Sequence, residues 1–434
     1  MISAAGALTG FAMMLAMMLL GLPIAAALFL TAAIGGLLYL GTPTLLVFGN
    51  STWSVLNDFV LTSIPLFILL GEILLRSGIS DRMYQALGDW VGRWPGGLFH
   101  TNIASSGLFA AVSGSSVATA ATIGTVALPA LRERGYDERL SLGSIAAGST
   151  LGILIPPSIN MIIYGSMSNT SIGQLFVAGI VPGLVILALF MGWIILVTTL
   201  KPSLAGDPAA ALPLRQRLLR LVHLAPPVFI FVIVMGSIYL GWATPTEAAA
   251  LGVLAATAMA ALVGRLTIAM LHAAFLSTAK LTAMILLILV AAQFLNFIIG
   301  IMGVPQALTG LVASIASSPL EVILLLVVFY LVLGCFLETL SMMVASIPVV
   351  MPIVIFFGID PVWFGVFLVV MMEVALITPP IGMNLYVVQG VRGDGPISDV
   401  IIGALPFVFI MLAMVALLIA VPGIALWLPE HMFG

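Results

Sequence analysis

Residues 111–130 read AVSGSSVATAATIGTVALPA, which crowds Ser113, Ser115, Ser116, Thr119, Thr122 and Thr125 with Gly114 and Gly124 into an apolar stretch. Further on, GILIPPSIN puts Pro156 and Pro157 in the middle of an apolar run, and ITPPIGMN does the same with Pro379 and Pro380. A proline removes a backbone donor and clashes with the preceding turn, so two in succession break a helix and free carbonyl oxygens. Hydroxyls at a turn and freed carbonyls are neutral, hard oxygen ligands of the kind a small cation such as Na⁺ takes. The negative C-terminal end of a half-helix adds to that attraction. The pattern predicts two cation sites. One joins Ser113, Gly114, Ser115 and Ser116 to the break that runs from Gly152 through Pro156 to Ser158. The other joins Glu338, Thr339, Leu340 and Ser341 to the break that runs from Thr378 and Pro379 through Gly382 to Asn384.

A polar solute needs partners too. Glu338 lies in an apolar segment, where an acid costs about 2.5–3.5 kcal/mol on insertion scales. It is therefore expected to face a wet cavity as a substrate or cation partner, with Ser158, Asn160 and Asn384 as hydrogen-bonding groups for a solute. Thr122, Gly124 and Thr125 read better as small residues that let helices pack closely. Glu247 follows a Thr-Pro pair and reads as a helix-start cap. Glu72 and Glu373 lie in or near spans, with structural and functional roles both open. No span carries a lone arginine, so an anionic solute would rest on hydroxyls, amides, helix N-termini and bound cations.

The elements that position these groups are membrane helices. Of the 434 residues, 62% are hydrophobic and 7% charged, against about 25% charged in soluble domains. Apolar runs near the length of a bilayer-spanning helix recur from end to end. The fold class is an all-α polytopic membrane protein, since a transmembrane barrel would show short alternating segments. The single cysteine, Cys335, excludes an internal disulfide. The four histidines are scattered, without metal-ligand spacing. No nucleotide-binding loop, nucleophile elbow or zinc-protease motif is present. The first residues lack Lys and Arg and so do not read as a cleaved signal peptide.

Spans are expected at 5–21, 24–40, 57–75, 139–165, 175–199, 224–241, 246–264, 281–300, 362–388 and 400–425. Two apolar stretches, about 100–127 and 322–350, are too long for one straight helix and too short for two full ones. Each suits a re-entrant hairpin, a form that persists only where protein or water covers it. With the N-terminus outside and each hairpin counted as no crossing, all 13 Lys and Arg fall on one side. The positive-inside rule makes that side cytoplasmic and leaves both termini periplasmic. The first hairpin then opens from the cytoplasm and the second from outside. Segments 79–95 and 266–280 mix apolar with Trp, His or basic residues and read as amphipathic arms at the cytoplasmic surface.

A shift of 223 positions, which carries Pro156-Pro157 onto Pro379-Pro380, also carries Pro129 onto Pro352 and Gly135-Tyr136-Asp137 onto Gly358-Ile359-Asp360. The order of elements agrees as well. Residues 1–200 and 224–434 thus read as two inverted-topology repeats, joined by a cytoplasmic connector at 201–223. That is a signature of secondary transporters, and interrupted segments in matching places point to the binding site.

The stretches SGSSVATAATIG, ILIPPS, GWATPTEAAA, CFLETLSMMVASIPVVMPI and ITPPIGMNLYV resemble the large membrane subunit of tripartite ATP-independent periplasmic (TRAP) transporters, in the family's order over nearly the whole chain. The resemblance implies a sodium-driven uptake permease of the bacterial inner membrane and an elevator-type architecture. It implies two partners, a small four-helix membrane subunit and a periplasmic binding protein, and an organic acid as solute, with no enzyme activity, cofactor or nucleic acid. Family cation sites carry over to Ser113–Ser116 with the first Pro-Pro break and to Thr339–Ser341 with the second. Family solute contacts carry over to Ser116, Ser158 and Glu338. Many relatives carry Asp where this chain has Glu338, which bears on the size of the pocket. The competing readings are a stand-alone sodium/carboxylate symporter without a binding protein, an intramembrane enzyme, for which no catalytic pair is visible, and a passive channel.

Overall fold

A computed structural model describes residues 3–207 and 212–433. Residues 1, 2 and 434 at the outer ends of the two expected repeats, and 208–211 within the connector, lie outside the described residues. The first half runs through helices Ala4–Leu19, Ile24–Leu40, Thr44–Leu56, Ser63–Arg76, Ile79–Val91, Leu98–Ser113, Ser116–Glu133, Glu138–Thr150, Ile159–Ser168 and Ile172–Leu200. The second runs through Ala225–Tyr239, Pro245–Leu262, Ile268–Met302, Val304–Ile315, Pro319–Gly334, Thr339–Phe356, Pro361–Ile377, Met383–Arg392 and Ile397–Ala420, and ends in Gly423–Phe433.

The 223-residue offset reappears in local geometry. Asp137 and Asp360 each cap a helix, accepting from the backbone N–H of Leu140 and Trp363 at 2.8 Å. Ser115 and Glu338 cap the return arms of the two hairpins in the same way. Gly135 and Gly358 turn the chain with φ of +66° and +67°, a conformation that costs glycine nothing. Side-chain caps matter here because each helix start leaves unpaired N–H groups, and lipid offers them no partner.

Several expected boundaries move. The hairpins span 98–133 and 319–356, longer than the expected 100–127 and 322–350, because their arms continue past the small-residue tips into ordinary apolar helix. The expected arm at 266–280 is not separate from the span at 281–300. Both belong to the 35-residue helix Ile268–Met302, since nothing between Lys280 and Leu281 breaks it. The first-half counterpart is two helices, Thr44–Leu56 and Ser63–Arg76, divided by a turn at Asn57–Thr62. The arm at 79–95 does form, as Ile79–Val91, bent 70° from the helix before it. A second bent element, Val304–Ile315, lies at 113° to Pro319–Gly334 and was not foreseen. Among the described residues, six continuous helices are long and apolar enough to cross a membrane, or up to eight with the bent pairs.

The described part of the connector carries Leu214–Arg220, which leads into Ala225–Tyr239. It docks on the Ile79–Val91 arm. Arg220 pairs with Asp89 at 3.1 Å, and the Arg217 guanidinium lies 4.4 Å from the centre of the Trp90 ring.

The helices that lead into the two breaks are the most completely buried part of a core to which most helices contribute. Every residue from Leu140 to Thr150 and from Trp363 to Ile377 is buried. Glu138–Thr150 meets Ile397–Ala420 backbone to backbone: a Cβ on Gly143 would overlap the Gly403 carbonyl, and one on Gly403 would overlap that of Arg139. Small residues allow such approach between membrane helices. Gly403→Ala is therefore expected to lower the thermal midpoint of the purified protein clearly. Gly192→Ala, where a Cβ meets open space, is expected to leave it unchanged or slightly raised, by up to about 1 kcal/mol of helix propensity. Thermal unfolding followed by tryptophan fluorescence separates the two.

Candidate functional site

The first hairpin turns at Gly114, with φ +61°, and restarts at the Ser115 cap. Ser113 and Ser116 are buried beside it. The Ser113 hydroxyl lies 3.2 Å from that of Thr119, which donates to the Ser115 carbonyl at 2.7 Å. The first interrupted segment ends its helix at Thr150, makes a short 3₁₀ turn at Leu151–Ile153, and restarts after Pro156-Pro157. Ser158 caps the restart, accepting from the Met161 N–H at 3.4 Å and donating to the Ile153 carbonyl at 2.5 Å.

Tip and break touch through their backbones. A Cβ on Gly114 would sit 2.8 Å from the Pro157 carbonyl oxygen, and one on Gly152 would sit 2.7 Å from the Ser115 carbonyl carbon. Both positions need glycine because the backbones leave no room for more. The first set of predicted residues, Ser113 to Ser116 with Gly152 and the Pro156-Pro157 turn, is thus brought together. Its donors are hydroxyl and carbonyl oxygens, which suit a hard monovalent ion. Thr122 and Thr125 donate to carbonyls one turn back in their own helix, Gly124 packs on Val391, and Thr125 is exposed.

The second tip runs from Gly334 to the Glu338 cap. The Glu338 carboxylate accepts from the N–H groups of Leu340 and Ser341 at 3.1 and 2.8 Å and from the Ser341 hydroxyl at 2.6 Å. It therefore neutralises the positive end of its own helix. Helix Pro361–Ile377 ends at Thr378, whose hydroxyl donates to the Val374 carbonyl at 2.7 Å. The Gly382 N–H donates to the Thr378 carbonyl at 3.1 Å before the chain re-enters helix. A Cβ on Gly334 would lie 2.7 Å from that of Ala375, so this tip also seats on its break. Between them is a small, partly open cleft lined by Leu337, Glu338, Thr339, Ala375, Leu376, Ile381 and Met383. In this conformation the cleft has room for water or an ion and not for a larger solute.

Asn160 and Asn384 part company. Asn160 is buried with its amide nitrogen unpartnered, beside the Ser158 cap. Asn384 is buried and donates to the Ser149 hydroxyl at 2.9 Å and the Ala146 carbonyl at 3.3 Å, which ties the second break to the helix that leads into the first. Glu247 completes a capping box with Thr244, as expected. Glu72 pairs with Arg76 at 3.0 Å. Glu373 is fully buried, five residues before Thr378, with neither carboxyl oxygen hydrogen-bonded.

Sequence reasoning missed a buried chain in which the Tyr84 hydroxyl donates to Asn102 at 2.7 Å and Asn102 to Ser144 at 2.8 Å. Asn102 and Ser106, one turn apart, mark that face, and only their spacing could have announced it. The ion pairs that join residues 132–139 to 392–399 were missed as well.

A family profile described as "Tripartite ATP-independent periplasmic transporter, DctM component" matches residues 11–424. The chain is 35% identical to the C4-dicarboxylate TRAP transporter large permease protein DctM of Rhodobacter capsulatus, over 98% of this chain and 99% of the relative. It is 33% identical to the sialic acid TRAP transporter large permease protein SiaM of Vibrio cholerae, over 87% and 88%. It is 34% identical to the ectoine TRAP transporter large permease protein TeaC of Halomonas elongata, over 86% and 87%. Among solved structures, that of the YdaH transporter of Alcanivorax borkumensis aligns with a TM-score of 0.62 at 15% identity, over 91% of this chain and 90% of that one, which is a likeness of fold.

The Asn384–Ser149 contact has a measurable signature. A double-mutant cycle of Asn384→Ala and Ser149→Ala, read by thermal or denaturant unfolding, is expected to give a coupling of about 0.5–1.5 kcal/mol. Additive effects would mean that the bond carries no energy.

Proposed function

The chain belongs to the family of TRAP transporter DctM components, the large permeases, and from that premise we propose that it drives sodium-coupled uptake of a small organic acid across the bacterial inner membrane. In this reading a periplasmic binding protein delivers the solute, and a separate small four-helix membrane subunit completes the complex. Both termini are periplasmic. The two halves are inverted repeats, and the hairpins and interrupted segments move together against the remaining helices in an elevator cycle. The names of relatives, for C4-dicarboxylate, sialic acid and ectoine, support a small polar organic solute.

The observation that carries the proposal is the seating of the first hairpin tip on its interrupted segment, where the Pro157 and Ser115 carbonyls crowd Gly114 and Gly152, with the Ser113 and Ser116 hydroxyls buried beside them. A cation bound there joins tip to break and so reports occupancy as closure. Each charge that enters across 100 mV contributes about 2.3 kcal/mol.

The caps suggest where the carboxylate rests. At the second tip Glu338 already occupies the helix N-terminus. In the first repeat, two helices start side by side behind neutral serine caps, Ser115 and Ser158, and keep their positive ends available to an anion. Ser116 and the unpartnered Asn160 amide stand next to them. Glu338 would then bound the pocket rather than hold the acid.

The test is uptake in proteoliposomes that hold this chain and its small subunit, supplied with loaded binding protein, with and without a Na⁺ gradient. Uptake that needs both is expected. Sodium-driven uptake of free solute without binding protein would replace this reading with a stand-alone symporter. Gly152→Ala, which pries the tip from the break, is expected to raise the half-saturating Na⁺ concentration by about tenfold, or 1.4 kcal/mol. Asn160→Ala is expected to raise the solute KM by a similar order, as for loss of one hydrogen bond to a charged group, about 1.5–3 kcal/mol, while the Na⁺ dependence stays in place.

A further inference from the structure

The half-helices Glu138–Thr150 and Met383–Arg392 lie in different halves of the chain; the first runs into a break and the second starts from one. They are clipped to each other at two places. Near the breaks, Asn384 donates to the Ser149 hydroxyl and the Ala146 carbonyl. At the other end, Arg392 Nε lies 3.0 Å from Glu138 Oε1. The pairing 384 with 149 and 392 with 138 makes the two helices antiparallel. At about 1.5 Å per residue, Asn384 and Arg392 stand about 12 Å apart, and Ser149 and Glu138 about 16 Å, so the long arginine side chain closes the remaining gap.

The far clip is well built. The Arg392 side chain is only 3% exposed. Its three guanidinium nitrogens each have an acceptor: Glu138, the Pro396 carbonyl at 3.0 Å and Asp399 at 3.1 Å. A planar fork held at each of its three nitrogens fixes an orientation as well as a distance. The near clip lies between the two proposed sites. Ser149 is three residues before Gly152, and Asn384 is two residues after Gly382.

We propose that Arg392 and Ser149 are positioning residues that make the two cation sites one cooperative unit. The proposal rests on the sodium reading above. A cation that draws the 3₁₀ turn at Leu151–Ile153 onto the first tip fixes Ser149, and Ser149 holds Asn384 and the start of the second half-helix in place. Binding at one site thus prepays part of the ordering at the other, and the effect is reciprocal. The anchor at Arg392 supplies the fixed end, without which the half-helix would pivot rather than transmit the change.

The experiment is a Na⁺ titration of the purified full chain, with choline replacing Na⁺ at constant ionic strength, read by tryptophan fluorescence and by the thermal midpoint, which rises as ligand binds the folded state. Wild type is expected to show a Hill coefficient well above 1, towards about 2 for two linked sites. Ser149→Ala and Glu138→Gln are expected to bring it to about 1, with the half-saturating concentration raised about threefold or more for the weaker site. Arg392→Lys, which keeps the charge and loses the fork, is expected to behave like Glu138→Gln. Arg139→Gln breaks the neighbouring pair with Asp399, spares both clips, and is expected to keep wild-type cooperativity. If Arg392→Lys fails to fold, Glu138→Gln still tests the clip, because Arg392 keeps Asp399 and the Pro396 carbonyl. Cooperativity that survives in Ser149→Ala and Glu138→Gln overturns the proposal and leaves the sodium reading intact. So does a wild-type curve with a Hill coefficient of 1. A wild type that does not respond to Na⁺ overturns both.

Discussion

The rest of the structure depends on the requirement that interrupted backbone at membrane depth be kept from lipid, by protein or by a wet cavity. Lipid offers no partner to a freed carbonyl or N–H, so a broken helix persists only where neighbours close over it or a wet cavity adjoins it; the first break is covered by its neighbours, whereas Pro380 and Ile381 of the second are exposed. That accounts for the placement of Leu140–Thr150 and Trp363–Ile377 as the most completely buried elements. It also accounts for the caps. Ser115, Asp137, Ser158, Glu338 and Asp360 each spend their own side chain on the helix they start. Cover has to come close, and the glycines at 114, 143, 152 and 403 mark where backbones touch.

What was legible in the chain was local chemistry. The Pro-Pro pairs announce where helices stop, because the missing donor acts within one turn. Thr244 with Glu247 announces where a helix starts, because a cap reaches only three residues. The shift of 223 positions was readable for the same reason: matching caps and turns leave matching letters. The tip and break residues of the first site were also named correctly as neighbours, through the repeat and the resemblance to a known family.

What was not legible was reach. Ser149 and Asn384 are ordinary small polar residues, and nothing near either one points to the other in the opposite half. Arg392 looked like one more cytoplasmic charge until its pairing with Glu138 and Asp399 appeared. Helix continuity fails in the same way. Ile268–Met302 runs through a stretch whose His272 and Lys280 suggested a surface arm, because charged residues at a helix end snorkel without breaking it. The Val304–Ile315 element begins at a positive-φ glycine, Gly303, whose turn is compatible with many continuations.

The ion pairs at the ends of the interrupted segments have an electrical consequence. Arg132, Arg139 and Arg392 stand against Glu138, Asp394 and Asp399, three positive charges against three negative. The hydrogen bond from Arg132 holds the Asp394 carboxyl below the ordinary carboxylate range, which keeps that negative charge in place at acid pH. A cluster that sums to zero does no net work when it is displaced along a field, whereas one uncompensated charge would contribute about 2.3 kcal/mol per 100 mV. These six groups therefore add no net charge to the face on which the interrupted segments meet, and a displacement of all six together is neither driven nor opposed through them by a membrane voltage.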